Sequence, residues 1–101
     1  MSKPVLTDND LLHVAAVLHT EASRNVALAQ EALSLLPPEP DDRRMAEAER
    51  SVTFWLAEAD RSLSVLAKLW PHWGQKIQTA SAEVLLSLDK VRNQRRTARV
   101  S

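Results

Sequence analysis

The sequence predicts an all-α protein: an antiparallel, up-down-up three-helix bundle of long helices, with dimerisation as a candidate to complete it. Three observations carry this expectation. Proline breaks at Pro37-Pro38-Glu39-Pro40 and Trp70-Pro71-His72-Trp73-Gly74 divide the 101 residues into three nearly equal segments. Each segment of roughly 30 residues repeats its apolar residues at helical spacing and would be about 45 Å long as a helix. Ala, Leu, Glu, Arg and Ser outnumber Val, Ile, Phe and Thr, with a single Gly and no Tyr, a balance that favours helix over strand. The expected helices cover residues 8–36, 42–69 and 74–97 of one domain, with 98–101 frayed.

Thr7-Asp8-Asn9-Asp10 starts the first helix. Thr7 caps, and Asp10 sits three residues on, a capping box with Asp in place of Glu. From there Leu11, Ala15, Leu18, Ala22, Asn25, Ala29, Ala32 and Leu36 follow in 4-3 steps. That seam is coiled-coil-like, and its small residues permit close helix approach. Asn25 is its polar member, either fixing register from inside or sitting at a wet edge. Pro37, Pro38 and Pro40 end the helix, because each removes a donor and restricts the residue before it.

Asp41 or Asp42 caps the second helix. Met45, Ala48, Val52, Trp55, Leu56, Ala59, Leu63, Leu66 and Trp70 form its stripe, an arc of roughly 100°. Pro71 disfavours α conformation at Trp70, so a turn is expected there, with a kinked continuous helix as the alternative. The third helix carries Trp73, Ile77, Ala80, Val84, Leu88 and Val91. Its stripe then meets Arg95, so the core ends near Val91.

Two helices carry more apolar surface than one stripe requires. In the first, Val17, Leu28 and Leu35 lie about 100° from the main seam. In the second, Phe54 and Val65 lie well off the stripe, with Leu69 on the flank between. A helix touching two neighbours uses a wider arc, so intramolecular burial competes with an interface role for Val17, Leu28 and Leu35. Phe54, Trp55, Val65 and Leu69 are the stronger interface candidates, since aromatic residues are enriched at binding hot spots. Leu86, alone opposite its stripe, is an ordinary exposed apolar residue.

Charge is uneven although the formal net is zero. Residues 89–101 hold Lys90, Arg92, Arg95, Arg96 and Arg99 against Asp89, a net of +4, which leaves −4 on the rest. Arg92, Arg95, Arg96 and Arg99 fall within roughly 100° of one helix face, a patch suited to phosphate contacts. Antiparallel topology returns that patch to Glu39, Asp41, Asp42, Glu47 and Glu49, which would neutralise part of it.

Signals for chemistry are weak. Asp10 and His13 share a helix face, but no Glu-x-x-His or His-Glu-x-x-His joins them, so no metal site is expected. His13 and His19 point about 120° apart and cannot share a site. His72 sits in the turn with no partner group evident in sequence. One Gly excludes a Gly-rich phosphate loop, and no Cys excludes disulfides and thiolate chemistry. No cofactor and no enzymatic activity are expected. The first residues, from Met1 to Asp8, have no apolar h-region, and no uncharged run nears the roughly 20 residues of a membrane span, so a cytoplasmic protein without membrane contact is expected.

The expected function is therefore a non-catalytic interaction protein: a small inhibitor, adaptor or assembly subunit that binds a protein partner through an apolar helix face, with a homodimer as a candidate state. The first alternative is a nucleic-acid-binding accessory subunit using the C-terminal Arg residues. The second is a metal-dependent helical bundle around Asp10, His13 or His72.

Overall fold

The computed structural model describes residues 7–100, which form three helices and, among those residues, no strand. Helix α1 spans Asp8–Ser34, α2 spans Asp42–Leu69 and α3 spans Gln75–Val100; a 3-10 turn, Pro71–Gly74, joins the last two. The architecture is the all-α three-helix bundle. Among the described residues no helix is long and apolar enough to cross a membrane.

The ends follow local chemistry. Thr7 Oγ1 accepts the Asp10 N–H at 3.2 Å, and Asp10 Oδ2 accepts the Thr7 N–H at 2.9 Å. Both halves of the capping box are therefore present. α1 ends at Ser34, two residues short of the 36 expected. Leu36 N–H bonds to the Leu33 carbonyl at 3.1 Å, a tighter i→i+3 closure. Pro37 is the physical reason, because its ring pushes the preceding residue out of the α region. At α2, Asp41 is the cap, and its Oδ1 accepts the Arg44 N–H at 2.8 Å.

α2 stops where Pro71 dictates. Trp70 is extended, with φ −143° and ψ 94°, so the chain turns there rather than continuing as a kinked helix. The Trp70 carbonyl accepts the Trp73 N–H at 3.2 Å, closing the 3-10 turn. Trp73 therefore belongs to the turn and stacks on Trp70, with centroids 5.7 Å apart. Gly74 follows and is buried; a Cβ there would lie 3.1 Å from Leu63 Cδ2. The glycine lets the start of α3 approach the end of α2 closely. α3 then remains helical to Val100, three residues beyond the expected end at Thr97.

Ala15, Ala22 and Ala29 of α1 and Ala59 of α2 are fully buried, together with Val52 and Leu66 of α2. Alanines at the seam let α1 and α2 form the close antiparallel pair, while α3 lies against the pair more openly. Ile77, Val84 and Leu88 are its buried contribution. α1 does use a wider arc than its seam, but on the side of α3. Val26 is buried and Leu33 packs on the core, neither of them a seam residue.

The bundle is long and staggered. It measures 70 × 22 × 15 Å, with a radius of gyration of 17.7 Å. A compact chain of this length would have about 13 Å. The His19 ring meets the edge of Trp73 at 6.5 Å, so α3 begins level with His19. That point is about 16 Å into α1. At the other end Arg95 pairs with Asp42, beyond the last residue of α1.

Candidate functional site

Side chains from α1 and α2 meet along a shallow groove on the bundle. One stretch is lined by Glu21, Arg24, Asn25 and Leu28 of α1 with Trp55, Glu58 and Ser62 of α2. The next is lined by Ala32, Leu35 and Leu36 with Arg44, Glu47, Ala48 and Ser51. These pairings set the antiparallel register, with Leu28 level with Trp55. Continued along the pair at 1.5 Å per residue, the register brings Val17 level with Val65 and Leu66, and Val14 with Leu69. α3 packs elsewhere, against Gln30, Leu33 and Ser34 of α1, so it does not cover this face.

The two apolar sets therefore converge on one face. Phe54 is 55% exposed, Val65 45%, Val17 43% and Leu35 76%. Leu28 lines the groove half-buried, and Leu69 is half-buried at the last residue of α2. Trp55 is half-buried against the core and holds Phe54 edge-on, with centroids 4.9 Å apart and planes at 76°. Phe54 thus stands outward against the half-buried Trp55 ring. Asn25 lies half-buried at the groove edge, beside Arg24 and Glu21, rather than deep in the seam. Val14 and Leu12, also exposed, were not singled out from sequence. Leu12 stands on the side of α3 but ahead of its start, and Val14 lies level with the end of α2 at Leu69; no sequence signal encodes that stagger.

The basic stretch is placed differently from a free phosphate-binding patch. Arg92 Nε donates to Glu49 Oε1 at 2.9 Å, and its Nη1 donates to Asp89 Oδ1 at 3.1 Å. The Glu49 hydrogen bond is the main reason the Arg92 guanidinium titrates above its ordinary value. Arg95 pairs with Asp42 and is half-buried. Arg96 is exposed and, among the described residues, makes no ion pair. The Arg99 side chain lies outside the described residues.

The polar candidates stay apart. Asp10 is engaged with Thr7, and the Thr7 backbone hydrogen bond holds its carboxyl below the ordinary value. His13 is exposed, His19 leans on Trp73, and His72 is exposed in the turn. Among the described residues no group of three or more His, Cys, Asp or Glu side chains is placed to hold a metal ion.

Fold and face together define a small helical bundle whose α1–α2 pair carries exposed apolar residues around a groove that also holds charged ones. Comparison with protein-family models, curated proteins and solved structures finds no match for the chain.

Proposed function

We propose that the protein is a non-catalytic interaction protein of the cytoplasm that binds a protein partner through its α1–α2 face, as an inhibitor, adaptor or assembly subunit. The convergence of Val17, Leu28 and Leu35 with Phe54, Val65 and Leu69 on one face carries this reading. These large side chains are grouped on two packed helices around a groove that also carries Glu21, Arg24 and Glu58, whereas apolar residues scattered singly are ordinary. Phe54, braced by Trp55, has the geometry of an anchor.

Capture of partners from host lysate by the tagged protein tests the reading, in low and high salt and with or without nuclease. A discrete protein that survives salt and nuclease, and is lost with Phe54→Asp at unchanged helicity, is the expected result. Capture indifferent to Phe54→Asp would rule out this face. The nucleic-acid alternative has less support, because Arg92 and Arg95 are engaged with Glu49, Asp89 and Asp42.

A further inference from the structure

The outward row of α2 has a symmetry of its own. Ser51, Phe54, Glu58, Arg61, Val65 and Lys68 follow in 3-4-3-4-3 steps, the spacing of a coiled-coil seam. All six are exposed or half-buried, and none belongs to the core. Reversed about the point between Ala59 and Asp60, the row matches itself at its two inner pairs, apolar on apolar and acid on base. Phe54 then falls opposite Val65, Glu58 opposite Arg61 and Ser51 opposite Lys68.

From that complementarity we infer that a second copy of this chain occupies the α2 part of the face, its α2 packed antiparallel to the first across a two-fold axis near Ala59 and Asp60. This rests on the reading of the α1–α2 face as a protein-binding surface and names the occupant. Each half of the dimer sets Phe54 against the partner's Val65 and Glu58 against the partner's Arg61. An isologous contact requires this self-matching, because every pair occurs twice. A parallel arrangement would instead set Glu58 against the partner's Glu58 and Arg61 against the partner's Arg61, and like charges across an interface are unfavourable. Within one chain Arg61 already pairs with Glu58 at 3.4 Å, with the Arg side chain 80% exposed. Exposed pairs of this kind contribute little, so exchanging partners across the axis costs little. Two Phe54–Val65 layers around four charges make a small interface, with a dissociation constant in about the micromolar range.

Sedimentation of the full chain from about 1 µM to 1 mM spans that affinity. The wild type should pass from monomer to dimer. Phe54→Asp, Glu58→Arg and Arg61→Glu should each raise the dissociation constant at least about tenfold. Mixing the Glu58→Arg and Arg61→Glu chains should restore the dimer, because the opposed charges then match. Direction is read by disulfides, which the Cys-free sequence makes clean. Residues 51 and 68 lie about 26 Å apart on one helix, too far for a bond within a chain. The Ser51→Cys/Lys68→Cys protein, which keeps Phe54 and Val65, should therefore oxidise in air to a covalent dimer, while either single substitution should not. All these positions are exposed or half-buried, and far-UV circular dichroism checks that each variant remains helical. A wild type monomeric throughout, failure of the mixed chains to associate, or absence of the paired disulfide would each overturn the proposal. If the wild type is monomeric but lysate capture still depends on Phe54, the face reading stands and the second copy is excluded.

Discussion

Arg92 Nε donates to Oε1 of Glu49 at 2.9 Å, joining α3 to α2 across 43 residues of sequence. With Arg95–Asp42 it fixes the far end of α3 beside the start of α2, where α1 has already ended.

A double-mutant cycle on Arg92→Ala and Glu49→Ala should return a coupling of about 0.2–1 kcal/mol, the range of exposed ion pairs. The side chains are 44% and 37% exposed, so solvent screens the pair. Urea unfolding repeated in about 1 M salt should find the coupling reduced, because the Debye length there is about 3 Å. A coupling unchanged by salt would indicate that packing of the Arg92 stem, rather than charge, links the helices.

Close packing of α1 on α2 should tolerate neither deletion nor insertion of volume. Leu66→Ala, at a fully buried site, should cost about 2–5 kcal/mol through lost burial and a residual cavity. Ala22→Leu should cost about 1–3 kcal/mol by forcing the two helices apart. Denaturant midpoints check both, and a neutral Ala22→Leu would mean that the seam is not tightly closed.

Gly74 offers a graded test of the turn. A methyl at 3.1 Å from Leu63 Cδ2 needs only a small shift of a flexible side-chain end. Gly74→Ala also removes unfolded-chain entropy worth about 0.4–1 kcal/mol. The two effects should nearly cancel in Gly74→Ala. Gly74→Val adds bulk with no such allowance and should destabilise by about 1–3 kcal/mol. Thermal unfolding of the two variants separates these outcomes.

The α1 capping box should respond to acid. Asp10 titrates below its ordinary 3.8, first because of the Thr7 backbone hydrogen bond and then the Thr7 side chain. A depressed carboxylate contributes stability that is fully present above the unfolded value and lost as pH falls through the folded one. Thr7 and Asp10 amide shifts should therefore move together in one acid transition whose midpoint lies below 3.8. Asp10→Asn should abolish that acid transition while leaving α2 and α3 resonances in place.

Much of the architecture was legible because it is local. Thr7 and Asp10, Asp41, and the prolines at 37, 38, 40 and 71 act on backbone within a turn of themselves, so the fold class and three helices follow from short stretches of chain. The stripe of α2 was legible for the same reason, since Met45, Ala48, Val52, Leu56, Ala59, Leu63 and Leu66 are all buried at the spacing of one helical face. Periodicity names the residues of a stripe but not its width. Val17 and Val26 flank the α1 seam on opposite sides, and nothing local ranks them. Val26 is buried and Val17 exposed because α3 lies on the side of Val26.

The sequence by itself determined the helices, their caps, their breaks and the stripe that each turns inward. Hydrogen bonding, proline sterics and apolar periodicity act over one to a few turns and need no partner to be read. Antiparallel topology already returned the Arg patch to the acids of the first loop and early α2; tertiary structure alone decided that α3 starts level with His19, that Glu49 meets Arg92 and Asp42 meets Arg95, and that the outer residues of α1 and α2 share one face. Those relationships depend on the stagger of helices packed through alanines, where a sliding surface has no single local residue to set it. They are settled only when all three helices close on one another.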